Sequence, residues 1–151
     1  MRKIASLTLA LVLLATMAWA AGTTPAQLDN LLKQLQVQAK TASGGERTFK
    51  LGFRGTKPES FLVRAMPEQR VVYLAVLDVA KIPAAQLAKF QTLARLNYQI
   101  TVGKLEWDPQ STEVRLSYTF AGEQPVDFPS FKAVVQTLLV AVETVRKELN
   151  K

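Results

Sequence analysis

The sequence predicts an α+β domain: an antiparallel sheet of about five strands with three helices on one face, in the order α-β-β-β-α-β-β-α. Three observations carry this. The run Val71-Val72-Tyr73-Leu74-Ala75-Val76-Leu77-Asp78-Val79 is apolar and rich in β-branched residues, which reads as a central strand with both faces covered. Stretches of strict apolar–polar alternation lie on either side of it, separated by short turns. Three further stretches repeat apolar residues at steps of three and four, the spacing of a helix with one buried face.

The N-terminus stands apart from this domain. Met1-Arg2-Lys3 is a basic start, Ile4 to Met17 is apolar, and Ala18-Trp19-Ala20 places small residues where a leader peptidase reads them. The expectation is a signal peptide over residues 1–20, cleaved after Ala20, with a domain over residues 24–150 and a periplasmic or secreted location. The apolar stretch is shorter than the ~20 residues of a spanning helix, so no integral membrane segment is expected after cleavage. No cysteine follows the cleavage position, which excludes a lipid-anchored product.

Thr24-Pro25-Ala26-Gln27 opens the first helix. Thr24 is a capping residue, Pro25 suits the first turn, and Gln27 occupies the reciprocal position of a capping box. Leu28, Leu31, Leu32 and Leu35 mark its buried face, and Ser43-Gly44-Gly45 is expected to stop it. Phe49, Leu51 and Phe53 then alternate with Lys50 and Arg54. After a turn at Gly55-Thr56-Lys57-Pro58, Phe61, Val63 and Ala65 alternate with Leu62 and Arg64. Met66-Pro67-Glu68-Gln69 turns the chain into the central strand, which completes a meander.

Pro83 opens the second helix, whose apolar face is Leu87, Phe90, Leu93 and Ala94; Asn97 suits its C-terminal end. Leu105 and Trp107 alternate with Lys104 and Glu106. Asp108-Pro109-Gln110-Ser111 is a turn, and Val114, Leu116, Tyr118 and Phe120 alternate with Arg115, Ser117 and Thr119. A slip of one residue in this hairpin would bury Arg115 and expose Leu116. Asp127-Phe128-Pro129 opens the last helix, with a stripe of Phe131, Val135, Leu138, Val142, Val145 and Leu149 that Val134, Leu139 and Val140 broaden.

Composition restricts function. The 151 residues contain no cysteine and no histidine. Disulfides, thiolate nucleophiles, Cys-based metal sites, the commonest general base and the commonest metal ligand are all excluded. No catalytic residue, metal site or cofactor is expected, and the chain reads as a non-enzyme. One alternative keeps chemistry: Asp78, Glu106 and Asp108 at strand ends, meeting as a carboxylate-dependent hydrolase or a cation site. No phosphate-cradling loop is formed by Gly44-Gly45 or Gly52.

The chain has 19 basic and 12 acidic residues, and losing Arg2 and Lys3 with the leader leaves 17 against 12, a balance of +5. That balance favours anionic partners. Lys50, Arg54, Arg64, Lys104 and Arg115 all have outward parity, and Leu62 shares it, so these six form the candidate binding face. An envelope protein binding anionic surfaces through that face is a second alternative. Nucleic acid is excluded as a partner by export and by the core parity of the aromatic residues. Apolar residues left over on the central strand point to an interface, for a homodimer or a client segment.

Leu96-Asn97 at a helix end, Gly103-Lys104-Leu105 with Asp108 before a hairpin, and a long apolar last helix together resemble the YbjN-like domain. That family resembles, in fold, the class I chaperones of type III secretion. The likeness spans roughly residues 24–149. It implies an α+β sheet with helices on one face, frequent dimers, and a role in sensory transduction or protein handling without a catalytic site. The export leader and basic balance set this chain apart from the cytosolic, acidic secretion chaperones. The expected function is a non-enzymatic periplasmic or secreted interaction domain, chaperone-like or regulatory, with a protein partner.

Overall fold

A computed structural model describes residues 22–150; the signal peptide expected over residues 1–20 lies outside them. Helix α1 (Pro25–Gln34) is followed by strands β1 (Lys40–Thr41), β2 (Arg47–Leu51), β3 (Glu59–Met66) and β4 (Val71–Lys81). Then come helix α2 (Leu87–Gln99), strands β5 (Lys104–Trp107) and β6 (Glu113–Ala121), and helix α3 (Phe128–Leu149). The strands form one antiparallel sheet in the order β1-β2-β3-β4-β6-β5. It has six strands rather than about five, because β1 is only two residues long and too short to display an alternation.

Register confirms the parity read from the sequence. Phe61 faces Val76, Val63 faces Leu74, Val76 faces Leu116, and Leu116 faces Leu105. These residues share one face and are buried against Leu28, Leu32, Phe131, Leu138 and Val142 from the helices. Among the described residues, no helix lies on the opposite face. The central strand is therefore covered by helices on one side only: Val72, Leu74 and Val76 face the core, while Val71, Tyr73 and Ala75 face away.

Local chemistry sets the element ends. The Thr24 and Gln27 side chains exchange hydrogen bonds with each other's backbone N–H, the expected capping box. Helix α1 stops well before Ser43, however. Gln36 takes φ 60°, its N–H donates to Lys33 O, and the Val37 N–H donates to Leu32 O. This pair of bonds is a Schellman ending achieved without glycine, and it releases residues 36–41 to approach the sheet edge. Strand β2 ends at Leu51, so Phe53 and Arg54 lie in the following loop and Phe53 is 42% exposed. Gly52 turns there because it packs on Pro58, where a Cβ would sit 2.9 Å from Pro58 Cα. Pro83 begins a turn, and α2 starts only at Leu87.

Helix α3 opens at Asp127 as expected, and the Asp127 carboxylate also caps the Ser130 N–H, but Val140 is 57% exposed and does not belong to the buried stripe. Arg146, near the end of α3, reaches the sheet. Its guanidinium pairs with Glu59 of β3, and it also donates to the backbone oxygens of Val79 (3.0 Å) and Asp78 (3.1 Å). Asp78 has φ 53° and lies where the β4–β6 register shifts, a bulge between Val76 and Ala80.

Candidate functional site

The two outer edges of the sheet differ. At β5 the outward backbone is closed by a side chain. Asn97 Nδ2 donates to Leu105 O (3.0 Å), and the Leu105 N–H donates to Asn97 Oδ1 (2.6 Å). Asn97 does not end its helix, which continues to Gln99; it stands in for a neighbouring strand. Gly103 makes the approach to β5 feasible, with φ 91° and a position where a Cβ would lie 2.7 Å from Ser117 O.

At β2 the edge is only half closed. The Ala42 N–H donates to Glu46 O, and Lys40 pairs with Thr48, after which pairing stops. Antiparallel alternation assigns the next outward N–H and C=O to Lys50, and among the described residues no strand meets them. Residues 36–38 splay away, and a cleft of about 730 Å³ lies there. Val37, Gln38, Phe49, Lys50, Leu51 and Leu77 are among the residues that line it. Beneath it Phe49 stacks on Phe61 with ring centroids 5.0 Å apart, both rings buried in the core. Lys40 and Lys50 are exposed beside the cleft.

Of the six candidate residues, Lys50, Leu62, Arg64, Lys104 and Arg115 share the helix-free face, as register requires. Arg54 does not join them, because it sits in the β2–β3 loop. Only Lys50 also borders the cleft. The positive charge on this face is partly neutralised: Lys104 pairs with Glu106 at 2.9 Å, and Arg115 lies 3.7 Å from Glu113 and 3.9 Å from Asp108.

The centre of the same face carries a polar cluster. Tyr73 Oη donates to Glu106 Oε2 at 2.7 Å. The line between them crosses β6, and Ser117 beneath it is 0% exposed despite having no helix above. Burial, reinforced by the Glu106 carboxylate, pushes Tyr73 up to about 12. Burial alone would raise Glu106, but hydrogen bonds from Lys104, Tyr73 and Ser117 outweigh it and hold Glu106 below its ordinary value.

The three carboxylates considered for chemistry are engaged separately. Glu106 takes Tyr73 and Lys104. Asp108 accepts from the Gln110 N–H and the Ser111 hydroxyl, which lower its pKa and fix the β5–β6 turn. Asp78 sits at the bulge. Among the described residues, no group of three acidic side chains is placed to hold a metal ion.

Comparison with solved structures decides the fold type. The chain superposes on YbjN from E. coli with a TM-score of 0.63 at 13% identity, covering 84% of this chain and 91% of that one. This chain has a YbjN-like, secretion-chaperone fold. It also matches a chain of the ExsC–ExsE complex (TM-score 0.63, 17% identity, 84% and 96% covered). A chain of the HopA1–SchA chaperone–effector complex matches at TM-score 0.56 and 14% identity, with 80% and 90% covered. No protein-family model and no curated protein matches the sequence. Likeness at these identities extends to the fold alone.

Sequence reading missed the cleft. The signal was present in Gln36-Val37-Gln38, a polar–apolar–polar triplet that the leucine periodicity of the first helix obscured.

Proposed function

We propose that the protein is an exported, non-enzymatic polypeptide-binding domain that receives an extended partner segment along the outer edge of β2. The observation that carries this reading is the backbone of Lys50 facing a cleft where a strand would fit. An added strand satisfies that N–H and C=O, and the mixed lining, with Val37, Leu51 and Leu77 among the polar residues, accepts alternate side chains of the segment. Lys40 and Lys50 favour a segment with acidic residues. The fold likeness supports the same reading, since two of the similar structures are complexes, one of them a chaperone with its effector. Export rests on the leader, with the mature protein in the periplasm or outside the cell.

The helix-free face supports a second contact, a homodimer. Leu62, Met66, Val71, Tyr73 and Leu77 are only half-buried there, and the basic residues Arg64, Lys104 and Arg115 lie on the same face. Sedimentation of the mature protein tests this contact; a monomer at every concentration removes it and leaves the edge site standing.

The edge site is tested with a photo-crosslinking residue at Gln38, on the far wall of the cleft, in exporting cells. Adducts with envelope polypeptides are expected, and a second substitution, Lys50→Pro, removes the outward N–H and should abolish them. Adducts that survive Lys50→Pro, or that form only from a probe at Arg64, overturn the edge reading.

A further inference from the structure

Strand β1 stops short of a register that continues past its end. Lys40 pairs with Thr48, Thr41 pairs with Arg47, and the Ala42 N–H donates to Glu46 O. Hydrogen-bonded pairs in an antiparallel ladder recur at every second residue. The next one therefore joins Gln38 to Lys50, with Ala39 opposite Phe49 and Val37 opposite Leu51. The side chains suit these places. Val37 and Leu51 are both half-buried against the core, while Gln38 and Lys50 are exposed. Residues 37–39 thus form an apolar–polar–apolar triplet that matches the two faces of the strand beside it.

The triplet nevertheless stands off the edge. Gln36 leaves α1 with φ 60°, and residues 36–38 form one side of the cleft. A left-handed backbone at a residue other than glycine is strained, so this exit direction is held at a cost. Closing asks little of the helix end. In the extended register Val37 points its N–H away from β2, so its bond to Leu32 O is no obstacle. We propose that residues 37–39 are a strap that closes the β2 edge in cis, with Gln38 taking the N–H and C=O of Lys50, and that a partner segment binds only by taking the place of the strap. The inference rests on the edge reading and adds its regulation. Strap and partner satisfy the same two backbone groups, so each excludes the other. A strap of this kind shields the edge from indiscriminate pairing with other chains, and it lowers the apparent affinity for a partner by the fraction of chains in which it is closed.

Amide hydrogen exchange of the mature protein, with no partner present, reads the strap directly. The Lys50 amide is expected to exchange about tenfold more slowly than an open edge amide. Gln38→Pro removes the N–H that Lys50 O accepts and breaks the pair, and fast exchange should return. Fast exchange at Lys50 in the wild type, or protection that survives Gln38→Pro, overturns the inference. A second arm locks the strap. The sequence has no cysteine, so Val37→Cys with Leu51→Cys supplies a single pair of thiols. They sit at a non-hydrogen-bonded pair, where a closed strap brings the Cα atoms to about 4.5 Å, within disulfide reach. With a photo-crosslinking residue at Lys50 in exporting cells, adducts with envelope polypeptides should be lost when this pair is oxidised and return when it is reduced. A pair that stays reduced in oxidising buffer, or equal adducts in both states, overturns the inference and leaves the edge reading standing. Adducts absent from both states remove the edge reading, and the inference falls with it.

Discussion

At β5 the outermost backbone meets Asn97, whose amide takes both the N–H and the C=O of Leu105; at β2 the outermost backbone, at Lys50, meets a cleft. An unpaired strand edge is a template for another chain. A helix meets one outer strand at Leu105 with a single amide, while the other end is left with a two-residue strand and a cleft of mixed polarity. The difference teaches where the fold tolerates a partner. Closure at β5 uses a left-handed glycine at Gly103 and an amide in register at Asn97; the left-handed Gly44 and Gly45 lie in the β1–β2 turn instead, and neither Gln36 nor Gln38 bonds the Lys50 backbone.

Substitutions can break or sharpen this contrast. The largest effect is expected at the sealed edge for Gly103→Ala. The new Cβ meets Ser117 O at 2.7 Å and Leu138 Cδ2 at 3.1 Å in a left-handed backbone. A loss of about 3 kcal/mol is expected in urea unfolding. Next is Asn97→Leu, which strands both backbone groups of Leu105. It should cost about 2 kcal/mol and, with a bare edge at each end of the sheet, produce concentration-dependent association by light scattering. A monomeric Asn97→Leu protein of unchanged stability would erase the contrast. Lys50→Pro at the open edge should cost about 1 kcal/mol or less, because the lost N–H has no ladder partner; a loss as large as that of Asn97→Leu would show that the edge is closed in solution.

An effect of similar size is expected on the helix-free face, where β4 is tied to β5. Tyr73→Phe removes the hydroxyl bonded to Glu106 and should cost about 1 kcal/mol near neutral pH. Its clearer signature is in the pH profile. The phenol is raised in the folded state, so its contribution is present below pH 10 and is lost as pH climbs through about 12. Unfolding curves of the wild type should therefore fall across that window, and those of Tyr73→Phe should fall less. Glu106 is shifted the other way: its contribution is present above the ordinary value of 4.5 and declines as the solution is acidified below it.

Features that depend on near neighbours in sequence were legible: the capping box at Thr24, the start of the last helix at Asp127, the hairpin from Lys104 to Ala121, and the parity that puts Leu62, Arg64, Lys104 and Arg115 on one face. Features that depend on distant neighbours were not. The end of α1 at Gln36 is set by a left-handed residue that no glycine announces. The role of Asn97 depends on which strand lies beside its helix. The status of β2 as an edge depends on strand order, which alternation does not encode, so the cleft beside Lys50 stayed hidden even though Lys50 itself was named.

Arg146 has a consequence for how the chain matures. Its guanidinium serves Glu59 and the carbonyls of Val79 and Asp78 at once, and so ties the middle of the polypeptide to its tail. A chain that emerges amino end first has synthesised all of its strands before this clasp arrives. Until the last turns of the terminal helix are delivered, Glu59 lacks its counter-charge and the carbonyls at the Asp78 kink lack their donor, and a translation product truncated before Arg146 should be short-lived rather than partly useful.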